Sequence, residues 1–490
     1  MFLFFLSSGL FLGWSLGAND ASNVFGTAVG SRMVRFRTAA ICCSVFIILG
    51  AVISGAGASH TLGKLGSVNA IAGAFIVALS AAASVFLMTK SGYPVSTSQA
   101  IVGAIIGWNF FSGSLTDYNT LSKIFATWIA CPLLSALIAA VLYKIIAFGI
   151  SRLKPDMFKL DSMTRNGLIV MGAFGSYSLG ANNIANVMGV FVPVAPFGDI
   201  SVFGLFKLNA TQQLFFIGGI AISIGVLTYS RKVMMTVGQG IMKLSPVSAF
   251  VVVSAHSLVL FLFASQGLES VLIRHGLPTI PLVPVSSSQA IVGAVIGIGL
   301  LKKGRGIRYR VLGNIASSWV VTPIIAALVS FVSLFFLQNV FEQKTYRPVA
   351  YSLTTEAVNH IQGKGIIIKD LNHIAGKEFI DAMKFSRALS EAGHLQPKDR
   401  DFIMLAAEID NLAVTRGNLA YISADPHWLT KSEIDDLEKL EGMHFNHKWQ
   451  LDITLAEMST NWRPRENDKD HNENLTHKLS HLYDKLRVGY

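Results

Sequence analysis

Gly17-Ala18-Asn19-Asp20 and Gly180-Ala181-Asn182-Asn183 place carboxylate and amide oxygens inside otherwise apolar runs, and each is followed three residues later by a further amide, Asn23 or Asn186. Hard oxygens of this kind are what Na⁺ requires as ligands. Asp20 is the only acid in the apolar part of its segment, and an ionisable side chain there is costly unless a cation, a proton or a donor accompanies it. A second pair of stretches, Ser96-Thr97-Ser98-Gln99 and Ser286-Ser287-Ser288-Gln289, follows Pro-Val and precedes an apolar, glycine-punctuated run. That pattern reads as a helix start, where hydroxyls and free backbone N–H groups can bind an oxyanion while the helix dipole favours its charge. Capping alone calls for one such hydroxyl rather than three in a row, twice. Neither pair contains Lys or Arg, so an anion held there needs bound cations or protons to balance it.

The elements that carry these residues are duplicated. SLGANDASNVFG (15–26) matches SLGANNIANVMG (178–189) at 8 of 12 positions, and PVSTSQAIVGAIIG (94–107) matches PVSSSQAIVGAVIG (284–297) at 12 of 14. Two copies in the same order indicate an internal repeat. Trp128-Ile-Ala-Cys-Pro132 and Trp319-Val-Val-Thr-Pro323 are a third echo. The recurrence of the first motif in mid-chain also argues against reading Met1 to Leu16 as a cleaved secretory signal.

Apolar runs long enough to span about 30 Å of hydrocarbon fall at roughly 1–30, 36–56, 68–88, 121–147, 166–196, 211–229, 245–264 and 311–337. The PVS segments add two broken or re-entrant crossings, and the Gly-Ala-Asn stretches are expected to break the helices that carry them, because unwound backbone at membrane depth survives only where it lines a buried site. The fold expected is an all-α polytopic membrane protein of two repeats, 1–165 and 166–341, with broken helices and helical hairpins, followed by a mainly α soluble domain at 342–490. Five crossings per repeat make the second copy inverted. An outside N-terminus puts sixteen loop Lys and Arg inside and four outside, as the positive-inside rule requires. With ten crossings, the C-terminal domain is then also outside the cytoplasm; an extra crossing hidden at 233–244 would reverse that.

Composition agrees with a membrane class: 52% of the 490 residues are hydrophobic and 14% charged, outside the balance of soluble globular chains. Residues 1–341 hold 21 Lys and Arg against 6 Asp and Glu, whereas residues 342–490 hold 19 against 23. The basic excess lies in short loops, so it reads as membrane orientation and not as a nucleic-acid surface. Cys42, Cys43 and Cys131 lie in apolar segments and read as core filling. Beyond 341 the texture becomes charged and amphipathic: Pro397 to Thr415 reads as a helix with Phe402, Ile403, Ala406, Ile409 and Leu412 on one stripe, Asp425-Pro426 as a turn, Thr430-Lys-Ser-Glu433 as a capping box, and Arg463 to Glu473 as a solvated linker. His444 with His447, and His477 with His481, have helical metal-ligand spacing but no companion ligands, and read as surface histidines.

At the duplicated motifs the chain resembles the PiT family of inorganic phosphate transporters, over roughly residues 1–337. The resemblance implies Na⁺- or H⁺-coupled uptake through an inverted-repeat fold with helical hairpins. It further implies that Asn19, Asp20, Asn23, Asn182, Asn183 and Asn186 bind cations, and that Ser96, Thr97, Ser98, Ser286, Ser287 and Ser288 bind the anion, with Gln99 and Gln289 beside them where a histidine is usual. Asn183 stands where the second motif of the family has an acid. A sulfate permease of the same family is the alternative, and a membrane anion sensor signalling through the C-terminal domain is the alternative of another class. No nucleophile–base set or nucleotide loop suggests an enzyme. The expected setting is the cytoplasmic (inner) membrane. The expected partners are inorganic phosphate or sulfate and membrane lipid, with no cofactor beyond coupling Na⁺ or H⁺, a homodimer among the allowed assemblies, and no nucleic acid.

Overall fold

The computed structural model describes residues 2–66, 68–90, 95–197, 200–202, 206–240, 242, 244–304, 307–366, 374–393, 395–423, 428–466 and 468–488. The chain divides into two compact units, the first formed by Met1–Phe111 with Thr116–Arg347 and the second by Ser112–Leu115 with Pro348–Tyr490.

The first unit begins with α1 (Phe2–Gly30), α2 (Phe36–Ser54), α3 (Ala56–Leu65), α4 (Ile71–Lys90), α5 (Thr97–Ser112) and α6 (Tyr118–Leu153). It continues with α7 (Met157–Met188), a 3₁₀ turn (Gly189–Val194), a small hairpin of β1 (Ile200–Val202) and β2 (Phe206–Leu208), α8 (Ala210–Thr228), α9 (Ser230–Gly240), α10 (Pro246–Leu262), α11 (Gln266–Arg274), α12 (Ser287–Leu301) and α13 (Tyr309–Asn339). Polar side chains mark the helix starts. Asp117 accepts from Asn119 and Thr120 N–H to cap α6, Asp156 caps α7, and Asn209 with Gln212 forms a reciprocal capping box on α8.

Glycines set the helix packing, and four of their closest contacts occur twice with the repeats exchanged. A Cβ on Gly17 (α1) would meet the carbonyl oxygen of Ile222 (α8) at 1.9 Å, and one on Gly180 (α7) would meet that of Ile47 (α2) at 2.2 Å. Gly225 lies against Trp14 O as Gly50 lies against Tyr177 O. Gly103 and Gly107 (α5) approach Pro323 and Ala327 (α13), while Gly293 and Gly297 (α12) approach Pro132 and Ala136 (α6). Small residues allow backbones to touch where no hydrophobic drive exists between helices in lipid. Exchange of roles in each pair is the mark of a twofold relation between the halves.

Three expectations change. Both α1 and α7 run as unbroken helices through Gly17–Asp20 and Gly180–Asn183. Glycine and Asn cost a helix roughly 0.5–1 kcal/mol per residue, and here the glycines serve the close approach to Ile222 and Ile47 instead of unwinding the backbone. Next, a repeat boundary at 165/166 falls inside α7, which already starts at Met157. Finally, the ten crossings reduce, among the described residues, to six single helices long and apolar enough to span (α1, α2, α4, α6, α8, α13) and one pair, α10 with α11, bent by 65°. With 16 and 15 residues, α5 and α12 reach only about 22–24 Å at 1.5 Å per residue, short of a full crossing, and α7 is diluted by Gly, Ser and Asn. The 233–244 stretch falls partly in α9, an 11-residue helix; Ile241 and Lys243 lie outside the described residues.

The second unit contains β3 (Ala350–Ser352), α14 (Thr355–Gly363), β4 (Glu378–Phe379), α15 (Ala382–Glu391), α16 (Pro397–Ala407), β5 (Glu408–Ile409), β6 (Leu412–Ala413), α17 (Arg416–Ser423), α18 (Lys431–Glu438), β7 (His444–Phe445), α19 (Lys448–Met458) and α20 (Lys469–Leu486). Strands β4-β3-β5 form one antiparallel sheet and β6-β7 another. The Thr430–Glu433 capping box forms as read: Thr430 N–H donates to Glu433 Oε2 at 2.7 Å and Glu433 N–H to Thr430 Oγ1 at 3.3 Å. The helix expected to run to Thr415 stops at Ala407, because Glu408 and Asp410 turn inward to Lys448 and Asn411 takes a positive φ of 39°. Ile409 and Leu412 therefore sit on strands. Helix α20 takes up part of the expected linker. His447 is buried, not on the surface: its Nδ1 pairs with Glu408 O at 2.7 Å and its Nε2 with Thr354 Oγ1. His444 is exposed on β7 and His481 packs edge-on to Trp428. Asp425-Pro426 and the side chain of His477 lie outside the described residues.

Candidate functional site

The four polar stretches converge. Asn19, Asp20 and Asn23 on α1 and Asn182, Asn183 and Asn186 on α7 are all buried, as are Ser96, Thr97, Ser98 and Gln99 at the start of α5 and Ser286, Ser287, Ser288 and Gln289 at the start of α12. Two hydrogen bonds tie the hairpin starts together reciprocally: Ser98 Oγ donates to Val285 O at 3.0 Å and Ser288 Oγ to Val95 O at 2.5 Å. The helices anchor them in turn. Asn19 Nδ2 donates to Val95 O (3.1 Å), while Asn182 donates to Val283 O (3.1 Å) and accepts from Val285 N–H (3.0 Å).

Within this frame the residues divide by what they have left to offer. Ser96 and Ser286 cap their helices, accepting from Gln99 N–H at 3.3 Å and Gln289 N–H at 3.2 Å. Ser98 and Ser288 hold the opposite hairpin. By contrast, Thr97 Oγ1, Gln99 Oε1, Gln289 Oε1, Asn183 Nδ2 and Asn186 Oδ1 are buried without a hydrogen-bond partner. Unpaired buried polar atoms cost about 1–3 kcal/mol each, and donors and acceptors left over together are what a site awaiting a polar ligand would offer.

Asp20 is 2% exposed, and its carboxylate accepts from Asn19 Nδ2 at 2.7 Å. It is the only buried acid among the described residues of the first unit, and no described Lys or Arg pairs with it. At the equivalent place on α7, Asn183 Oδ1 accepts from Asn186 Nδ2 (2.9 Å), which also donates to Ser98 Oγ (2.8 Å). At this position the two halves therefore differ by an ionisable carboxyl against a neutral amide.

One buried group at the site went unnoticed in the sequence. His256 on α10 is fully buried and its Nε2 lies 3.0 Å from Ser287 Oγ, which also accepts from Asn23 Nδ2 at 3.1 Å. It belongs to no duplicated motif. Aligning Ala74-Phe75 of α4 with Ala249-Phe250 of α10 sets it opposite Ala81, so the available signal was a mismatch between repeats. In the second unit the metal reading of the histidines gains no support: no group of three or more His, Cys, Asp or Glu is assembled for a metal among the described residues.

The model of the phosphate transporter family matches residues 16–330 and 275–395. A Methanocaldococcus jannaschii protein named "Putative phosphate permease" is 30% identical over 320 residues, 65% of this chain and 91% of its own length. A Pyrococcus furiosus protein of the same designation is 25% identical over 66% of this chain and 92% of its length. A solved sodium-dependent phosphate transporter superposes with a TM-score of 0.55 at 24% identity, covering 69% of this chain and 98% of that one, which shows a shared fold. On the strength of the match across both repeats, the chain belongs to the phosphate transporter family.

Proposed function

We propose that the chain is a cation-coupled secondary transporter of inorganic phosphate in the cytoplasmic membrane, a carrier and not an enzyme. The observation that carries this reading is the cluster of buried, unpartnered donors and acceptors between two reciprocally bonded hairpin starts, beside a single acid. In this reading Thr97 and Ser287, with the free N–H groups of α5 and α12, hold the oxyanion. Asp20, Asn19 and Asn23 hold the coupling cation, and Asn182, Asn183 and Asn186 form the second, uncharged half of the cation site. Sodium is the first ion to test, because the solved structural neighbour is sodium-dependent. Counting α5, α7 and α12 as crossings beside the seven spans makes ten, and with the N-terminus outside this reading puts the C-terminal unit on the outer side.

Sulfate is a second reading favoured by one observation. Phosphate at neutral pH carries a proton to donate and sulfate carries none, and Asn183 presents an unpartnered Nδ2 donor where an acid would present an acceptor.

Reconstituted vesicles containing the full chain test these readings together. Accumulation of radiolabelled phosphate under an imposed Na⁺ or H⁺ gradient supports the carrier, with unlabelled sulfate as competitor reporting selectivity. Specific anion binding with no accumulation under either gradient would replace the carrier by an anion sensor.

A further inference from the structure

The two hairpin starts are nearly identical in sequence, yet they are not equivalent. Thr97 Oγ1 has no partner, whereas its counterpart Ser287 Oγ has two, Asn23 Nδ2 and His256 Nε2. An imidazole that supplies one of them stands on α10, opposite Ala81 of the first repeat.

The proton on that imidazole follows from counting donors. A serine hydroxyl has one proton to give and two lone pairs to receive, and Asn23 already donates to it. Were the proton on His256 Nδ1, Nε2 would have to accept from Ser287, consuming the only hydroxyl proton. The Nδ1–H would then be a buried donor with no partner, since Nδ1 has none, and orphaned buried N–H groups are the rarest kind. With the proton on Nε2, both lone pairs of Ser287 are filled by Asn23 and His256, and its own proton is left to point at a third group. Beside it, Gln289 Oε1 is also unpartnered.

We propose that His256 is a positioning residue for the transported oxyanion. Its neutral imidazole donates Nε2–H to Ser287 and so fixes the serine hydroxyl with its proton turned toward an anion oxygen. The first repeat, with Ala81 in that place, leaves Thr97 to find its own orientation. The anion site is thus preorganised on one side only. This inference rests on the reading of the hairpin starts as the anion site.

The test is phosphate uptake by vesicles carrying the full chain, comparing wild type with His256→Leu, His256→Gln, Ser287→Ala and the His256→Leu/Ser287→Ala pair. Gln places an N–H donor near the position of Nε2, and Leu fills similar space without one. His256→Leu is expected to raise the KM for phosphate roughly 10-fold, the effect of one well-placed hydrogen bond, with a smaller change in the maximal rate. His256→Gln should recover most of that loss, and in the Ser287→Ala background the Leu change should add almost nothing. Equal KM values for Leu and Gln, or full additivity with Ser287→Ala, would overturn the proposal. Should His256→Leu not fold, His256→Ala, which copies the first repeat, takes its place. If wild type accumulates neither phosphate nor sulfate, the carrier reading falls. The same variants are then read by equilibrium binding of radiolabelled phosphate to the solubilised chain, where the same ranking supports the His256 role. Absence of phosphate binding in wild type removes the hairpin site and this proposal with it.

Discussion

Gly180 on α7 lies so close to the carbonyl oxygen of Ile47 on α2 that a Cβ added there would stand 2.2 Å from it. Gly17 repeats the relation against Ile222 at 1.9 Å. Gly17→Ala and Gly180→Ala should each force a helix pair apart and sharply reduce the yield of folded protein, since neither obstacle is a flexible side chain. Gly63→Ala on α3, with nothing within 4 Å, should be neutral or stabilise by up to about 1 kcal/mol. Thermal unfolding in detergent checks all three, and equal stability of Gly180→Ala and Gly63→Ala would contradict the packing.

The reciprocal bonds Ser98–Val285 and Ser288–Val95 predict matched effects. Ser98→Ala and Ser288→Ala should each destabilise by about 1 kcal/mol and should impair uptake together more than either alone, because each single change leaves one of these two reciprocal bonds between the hairpin starts in place. A variant pair that transports at the wild-type rate would show that the hairpins need no mutual tether.

If the proposed cation site is right, Asp20→Asn should abolish gradient-driven uptake while leaving the protein in the membrane, because it removes the one buried acid among the described residues of the first unit. Comparing uptake with membrane-fraction abundance separates loss of transport from loss of protein. Retained accumulation against a gradient would move the coupling site elsewhere.

Asn183→Asp should restore charge symmetry between the halves. The expected result is a phosphate-over-sulfate ratio higher by roughly 10- to 100-fold, the scale of a hydrogen bond to a charged group at about 1.5–3 kcal/mol, together with a steeper dependence of uptake on cation concentration. Competitive uptake measures both quantities. If neither moves, position 183 governs neither selectivity nor coupling.

In the C-terminal unit, Lys448 Nζ lies 2.8 Å from both Glu408 Oε1 and Asp410 Oδ2, and Arg487 also pairs with Asp410. Burial pushes Asp410 up, but Lys448 and then Arg487 outweigh it and hold its carboxyl below the usual 3.8, whereas burial dominates at Glu408 and raises it. A depressed acid stabilises the fold above its unfolded pKa and loses that contribution as pH falls through the folded value, so Asp410 should weaken this unit only below about pH 4. Lys448→Met removes the cation from Glu408 and leaves Asp410 beside it with Arg487 alone, at a cost of up to roughly 3–5 kcal/mol near neutrality. Protonation relieves them, so the deficit should shrink from pH 7 to pH 4.5. Hydrogen exchange in α19 of the full chain reads the difference, and a deficit that does not change with pH would exclude the charge account.

The repeats and most of the candidate site were legible because duplication singles out residues that composition would hide: an Asn or Ser that occurs twice in the same frame is marked out from filler, and the fold brings these residues together. What local pattern could not supply was the use made of glycine. Gly17 and Gly180 look like helix breakers beside Asn and Asp, but their role depends on Ile222 and Ile47, more than 120 residues away in the chain. His256 escaped for the opposite reason, since it is unique to one repeat. The early stop of α16 was hidden because Phe402 to Leu412 keeps helical spacing, while the turn at Asn411 depends on Lys448 gathering Glu408 and Asp410. The same gathering buries His447, which spacing alone left on the surface.

The exchange of partners between halves also governs assembly of the chain. Gly103 and Gly107 of α5 meet α13, and Gly293 and Gly297 of α12 meet α6, so the first half leaves the ribosome with these close-packing surfaces bare and must wait for the second before either hairpin can settle. Neither half is a small transporter in its own right. Separately expressed halves, cut in the Lys154–Asp156 connection between α6 and α7, should be inert and short-lived alone, and should recover stability only when both are inserted into the same bilayer.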